Sequence, residues 1–290
     1  MNREAESKPR TIWLEAGGLR IHCLTAGEEG PPVVLLHGGG IDSARFSYKH
    51  VVGQLARDHR VSAPDWPGYG ESERPDVEHT LELYVGLLGP ILDALKLERA
   101  SLVGISMGGG AALGFSLRSP ERVEKLVLVD SYGLGSEIPW GRLGYLLVRA
   151  PFVNDLAWAS LRRSPRMVRW SLYNVVHDRR VVTDGMVEEA RRVLAQPGAG
   201  RAFQSLQKNE VGWKGLRTDF ADRLGELRVP TLIVHGEHDR AVPVAWARRA
   251  RESIPDSELH VLESCGHMPP RERPEEFNEV VRRFLTSRTE

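Results

Sequence analysis

Gly104-Ile105-Ser106-Met107-Gly108 follows the apolar run Ser101 to Ile105 and leads into Gly109, Gly110, Ala111 and Ala112. The run before it is short, apolar and rich in the residues of a covered strand, and the spacing after it predicts a helix over Met107 to Arg118. A serine forced into a sharp strand-to-helix turn is strained, and glycines two residues to either side remove the Cβ atoms that would clash there. Its hydroxyl is thereby lifted above the edge of a sheet, where a nucleophile is useful. Ser106 is the predicted nucleophile.

Working outward, the same alternation recurs. Val33 to His37, Val61 to Pro64, Val123 to Asp130, Thr231 to Gly236 and Glu258 to Leu262 read as strands. Between them Tyr48 to Arg57, Leu81 to Leu95, Val244 to Ser253 and Pro274 to Leu285 have helical spacing, the last with Phe277, Val280, Val281, Phe284 and Leu285 on one stripe. Strand and helix alternating in this way predict an α/β fold with a mostly parallel sheet covered on both faces. Thr11 to Ala16 and Leu19 to Thr25, joined by Gly17-Gly18, predict an opening hairpin. The alternation fails from Ser131 to Asp222, where Trp140, Trp158, Trp170 and Trp213 sit among helical stretches, so residues 131–222 are expected to form an inserted helical cap. The core is then 11–130 with 223–290, preceded by a disordered tail over 1–10.

The chain has 290 residues, of which 41% are apolar and 27% charged, enough to bury a sizeable core and unlike a disordered or collagenous chain. Lys plus Arg is 39 and Asp plus Glu is 39, so no whole-chain field draws in nucleic acid or a membrane surface. Inside the insertion cations exceed acids, but Arg162, Arg166 and Arg169 at helical spacing read as a solvated face. The most apolar window, Val85 to Leu92, is broken by Gly86, Gly89 and Pro90 and falls short of a spanning helix. Met1 to Arg10 leads into no apolar segment of signal-peptide length. Cys23 and Cys265, the only two cysteines, do not suggest a disulfide scaffold. These features predict a soluble cytoplasmic protein, monomer or homodimer, whose partner is a small-molecule substrate, with no cofactor.

Three further motifs carry chemistry. His37-Gly38-Gly39-Gly40 follows a strand, and such a run lets backbone amides approach a developing oxyanion. The amide of Gly39 paired with that of Met107 is the expected donor set, with Gly40 the near alternative. A phosphate cradle would want Lys and Ser or Thr after the last glycine, whereas Ile41 and Asp42 follow. Gly236-Glu237-His238-Asp239 and Cys265-Gly266-His267 each follow a strand, which places Asp239 and His267 at the same carboxyl edge as Ser106. Asp130 also follows a strand and is the rival acid. His235, His238 and Asp239 lack the spacing of a metal site, so no metal is expected.

The chain order Ser106, Asp239, His267 resembles that of the α/β-hydrolase family, from about Thr11 to Thr286. Asp65-Trp66-Pro67-Gly68-Tyr69-Gly70-Glu71-Ser72 is similar to the family's proline-glycine loop, and Cys265-Gly266-His267 to its histidine loop. The resemblance implies an eight-stranded sheet with a cap over the pocket, a nucleophile at Ser106, a base at His267 and an acid at Asp239. A serine nucleophile points to an acyl or carbonyl carbon, and carboxylic ester hydrolysis is the first expectation. The alternative is hydrolysis of a carbon–carbon bond in dienoate ring-fission products, whose enzymes the triad spacing and glycine run also resemble. Arg180, Arg191 or Arg192 would then meet a substrate carboxylate. Ile105 stands where those enzymes usually carry Asn, Met268 where they carry Trp, and the glycine run lacks their Pro-Gly continuation. A ligand receptor that turns over slowly is a third reading. Gly38, Gly40, Trp66, Tyr132, Trp140, Trp158 and Met268 are the candidate pocket-wall residues.

Overall fold

A computed structural model describes residues 9–138 and 141–287. Trp140 and all but the last two residues of the expected tail lie outside the described residues, and Arg10 opens the first strand and pairs with Glu28. The strands are β1 (Arg10–Ala16), β2 (Leu19–Ala26), β3 (Pro32–Leu36), β4 (Arg60–Pro64), β5 (Ala100–Ile105), β6 (Val123–Val129), β7 (Thr231–Gly236) and β8 (Ser257–Leu262). They form one sheet in the order β1-β2-β4-β3-β5-β6-β7-β8. The β1–β2 and β2–β4 pairs are antiparallel, and every later pair is parallel. The eight-stranded, mostly parallel sheet and its opening hairpin are as expected.

Alternation along the central strands sends side chains to two separate cores. Val34, Leu36, Leu102, Leu126 and Leu128 face one, and Val33, Leu35, Val103, Val127 and Val129 face the other. The helices follow the chain as α1 (Ala44–Ser47), α2 (Val52–Leu55), α3 (Leu81–Ala94), α4 (Met107–Arg118), α5 (Gly141–Val148), α6 (Pro151–Arg163), α7 (Pro165–Val175), α8 (Asp184–Ala195), α9 (Arg201–Glu210), α10 (Val244–Ser253), α11 (Pro269–Glu272) and α12 (Pro274–Thr286). α3, α4 and α10 cover the first face, and α1, α2 and α12 the second. The single helix expected over Tyr48 to Arg57 is instead two one-turn helices. Ser43 caps the first by accepting from the Phe46 amide, which starts it four residues early.

Five helices, α5 to α9, lie between β6 and β7, and Val168, Leu172, Val187, Ala190 and Leu194 give them a small core of their own. The segment returns through backbone hydrogen bonds from Leu216 to Ser136 and from Phe220 to Gly133. Both cysteines are buried and unbridged.

The glycines beside Ser106 are demanded by contact. A Cβ on Gly104 would lie 2.4 Å from the Gly108 carbonyl oxygen, and one on Gly108 would lie 2.2 Å from that of Leu36. Neither neighbour is a flexible side chain. Gly108→Ala is therefore expected to lower stability by about 1 to 3 kcal/mol or more in urea unfolding. Gly86, exposed within α3 with open space where a Cβ would go, is the control. Gly86→Ala should raise stability by roughly 0.5 to 1 kcal/mol.

Candidate active site

Ser106 occupies φ 53° and ψ −118° between β5 and α4, a backbone that costs a non-glycine residue about 1 to 3 kcal/mol. Hydrogen bonds on both sides hold it there. Its amide donates to the Val129 carbonyl oxygen, and its own carbonyl oxygen accepts from Gly110 and Tyr132. The residue is half-buried and lines a cavity of about 450 Å³ between the sheet edge and the inserted helices, which His267 also lines.

His267 Nδ1 donates to Asp239 Oδ2 at 2.7 Å. The other carboxylate oxygen of Asp239 accepts from the amides of Ala241 and Val242, so the loop after β7 fixes the acid before the imidazole reaches it. Burial works to lower the His267 pKa, but the charge and hydrogen bond of Asp239, aided by Asp42 and Glu272, hold it above the ordinary histidine value. Asp239 responds in the opposite sense: burial would raise its carboxyl, yet His267, then His235 and the Val242 amide, hold it below the usual range. The result is an anion opposite an imidazole whose Nε2 is left for a proton from a hydroxyl.

Asp130, the rival acid, lies one layer deeper. It is fully buried at φ 42°, and its Oδ1 accepts from the Gly236 amide at 2.9 Å. Burial and the nearby charge of Asp239 push its carboxyl up, the opposite direction to Asp239. Asp130, His235 and Asp239 bring one potential ligand atom each within 4.8 Å of one another. Those groups already serve the loop: His235 Nε2 donates to the Val242 carbonyl oxygen, Asp130 to Gly236 is a second tie, and Asp239 holds His267.

The glycine run sits on the opposite rim. The Gly38 amide donates to Asp42 Oδ2 at 2.8 Å. Asp42 is buried and also accepts from the Ser43 amide and the Ser47 hydroxyl, which pins the turn. Gly38, Gly39, Gly40 and Met107 all line the cavity, as do Tyr132, Trp158 and Met268. Trp66 does not. It is wholly buried behind the run, its amide donating to His37 Nε2 and its indole nitrogen to the His37 carbonyl oxygen. Its place as a wall residue is corrected to that of a brace, because the proline-glycine turn folds the indole under the loop.

Sequence reading passed over two buried acids that shape the site. Glu272 accepts from the amides of Gly266, Met268 and His177, which fixes the histidine loop against the end of α7. Glu210 accepts from the Leu81 amide at 2.8 Å and from the Tyr132 hydroxyl at 3.1 Å, at the first turn of α3. Neither belongs to a local motif, and their partners lie on other elements. Arg180, Arg191 and Arg192 stand away from the cavity. Arg180 pairs with Asp178, and the other two pair with Glu188. Among the described residues the cavity is lined mainly by apolar groups, with Ser106, His267, Gln207 and the acids Asp42 and Glu210, and by no Lys or Arg.

The fold and this site define an α/β hydrolase, and the comparisons agree: residues 33–280 match the model of the alpha/beta hydrolase family, and the chain belongs to it. A 2-hydroxy-6-oxo-2,4-heptadienoate hydrolase of Pseudomonas putida is 34% identical over 275 residues, covering 94% of this chain and 95% of that one. A 2-hydroxymuconate semialdehyde hydrolase of a Pseudomonas species is 32% identical over 273 residues, covering 93% and 92%. Among solved structures, a meta-cleavage product hydrolase of Pseudomonas fluorescens is similar with a TM-score of 0.81 and 30% identity, covering 94% of this chain and 97% of that one.

Neutralising the acid that holds His267 should matter far more than altering the one that ties Gly236. Asp239→Asn is expected to lower turnover of an aryl ester by about 10⁴. Asp130→Asn should change it by less than about tenfold, under about 1.4 kcal/mol of barrier. The reverse order would exchange their roles. The pH profile gives a second check. An imidazolium accepts no proton, so kcat/KM should fall as pH drops through a limb above the ordinary histidine value of about 6.5. The same limb should move down in Asp239→Asn, where the anion that raises it is gone.

Proposed function

We propose that this chain is a serine hydrolase of small, largely apolar and uncharged acyl compounds, with a carboxylic ester as the bond cleaved. Ser106 Oγ attacks the carbonyl carbon and passes its proton to His267 Nε2, while Asp239 stabilises the imidazolium. The oxyanion lies against the Gly39 and Met107 amides. The engagement of the Gly38 amide by Asp42 supports a donor further along the glycine run, Gly39 with Gly40 as the near alternative. Collapse of the tetrahedral adduct expels the alcohol, which takes the proton from His267. Water then adds to the acyl-enzyme with His267 again as base, releasing the acid and restoring the serine. The helices between β6 and β7 act as the cap that closes this space from water.

One observation carries the choice of substrate. Asp42 and Glu210 line the cavity and, among the described residues, no Lys or Arg does. A substrate carboxylate brought into it would leave its hydration shell with no Lys or Arg to meet and two carboxyl groups nearby, an arrangement that costs several kcal/mol.

The relatives favour a second reading, carbon–carbon bond hydrolysis of an oxo-dienoate, more than they favour ester cleavage. The same serine, base and oxyanion donors would serve it, the electron pair of the broken bond leaving into the conjugated system. Against it stand the outward-facing arginines and Ile105 and Met268 on the cavity wall.

The test sets a neutral short-chain aryl ester beside its analogue bearing a terminal carboxylate and beside a 2-hydroxy-6-oxo-dienoate. The neutral ester is expected to show the highest kcat/KM, by at least about tenfold, or 1.4 kcal/mol, over either acid. Glu210→Gln, which keeps an acceptor for the Leu81 amide, should narrow the gap to the carboxylate ester. Faster turnover of the dienoate would replace the ester reading with the carbon–carbon one. Loss of all turnover in Ser106→Ala is the control common to both.

A further inference from the structure

Twelve large apolar side chains stand exposed among the described residues, and eight of them fall within α5, α6 and α7. Leu143 and Leu146 on α5, with Phe152, Val153 and Leu156 on α6, are between 46% and 78% exposed. Helical spacing puts the α5 residues on one stripe and the α6 residues on another, and the two helices pack against each other, so the stripes are neighbours. Trp213, 49% exposed, joins them edge-on to Tyr145 of α5 at 5.3 Å. Isolated exposed leucines need no explanation, but a contiguous apolar face does.

The charges around this face are one-sided. Residues 141–175 contain six arginines and a single acid, Asp155. Arg162 and Arg169 are tied back to the insertion, one to the Ala199 carbonyl oxygen and the other to Asp184 and the Val182 carbonyl oxygen. Arg142 lies over the Trp213 ring, and Arg163 and Arg166 have no acidic partner among the described residues. Arg163 falls on the same side of α6 as Phe152 and Leu156, which are eleven and seven residues before it, close to whole turns. Whole-chain neutrality, from which no membrane partner was expected, hides this local excess.

We propose that the exposed face of α5 and α6 docks on an anionic lipid surface, with the leucines and Phe152 entering the boundary and the arginines meeting headgroups. Apolar side chains flanked by arginine and tryptophan are the composition of a helix that lies in such a boundary. A second copy of the chain is the poorer occupant, because a two-fold pairing would set the same arginines against themselves. The opposite side of α6 gives the surface a purpose. Trp158 and Leu161 point from that helix into the cavity, so an apolar substrate dissolved in the lipid would meet the cavity wall one helix away. The docking itself does not depend on which bond Ser106 cleaves.

The full chain would be co-sedimented with vesicles of phosphatidylcholine alone and of phosphatidylcholine mixed with phosphatidylglycerol. Partition onto the mixed vesicles is expected to exceed that onto the neutral ones by at least about tenfold and to fall with added salt. Phe152→Asp/Leu156→Asp should remove it, and Arg163→Gln should weaken it roughly fivefold. All these residues lie outside the cavity lining, so turnover of a soluble aryl ester and the circular dichroism spectrum should be unchanged, which separates loss of docking from loss of fold or of reaction. Equal partition onto both vesicles, or none onto either, would overturn the proposal. So would a dimer in sedimentation velocity that the double variant dissociates, which would assign the face to self-association.

Discussion

Everything at the site depends on one backbone held where a serine does not rest by itself. Ser106 at φ 53° stays there because Val129 of the neighbouring strand accepts its amide and because Gly104 and Gly108 leave no side chain in the way. The strain is sustained by the sheet. β5 is the central strand, paired in parallel with β3 on one side and β6 on the other, so its carboxyl end has little freedom to relax. A backbone held in this way sets the hydroxyl at the cavity with no further movement of the chain, and under the proposed mechanism that is where preorganisation would act.

The same strands set the other groups without touching Ser106. β3 ends at the glycine run and β7 at Asp239, while His267 follows the last strand. Each loop is then fixed by a buried carboxylate that the reaction does not use: Asp42 under the glycines and Glu272 under the histidine. Asp130 and Asp239 show how burial and position divide two neighbouring carboxyls. Asp239 meets an imidazole and two amides that pull its pKa down, whereas burial and the neighbouring Asp239 charge push that of Asp130 up.

Much of this was legible in the sequence because it is local. The strand alternation, the elbow and the short loop motifs that carry Asp239 and His267 each rest on residues a few positions apart, and the parallel sheet follows from the alternation. What escaped rests on contacts between distant elements. Glu210 is tied to Leu81, Glu272 to His177, and Trp66 to His37, and no periodicity or motif encodes those pairings. The insertion was visible as a failure of alternation, yet which of its faces turns inward is decided by packing. Hence Trp158 and Tyr132 met the cavity while the three arginines did not.

Charge shows the difference most clearly. Thirty-nine cations and thirty-nine acids sum to zero, and that sum describes neither the inside nor the outside of this protein. Buried carboxylates gather around the cavity because each accepts two or more backbone or hydroxyl protons from a loop that must be fixed, so acids accumulate where the architecture needs acceptors. The arginines are excluded from the same space by the cost of desolvating them without a free partner, and they collect on the surface of the insertion. The partition therefore follows from how the loops are held together. Under the proposed mechanism Asp239 would accept from a histidinium and aimed amides would donate to an oxyanion, while an incoming carboxylate would meet no Lys or Arg among the residues lining the cavity.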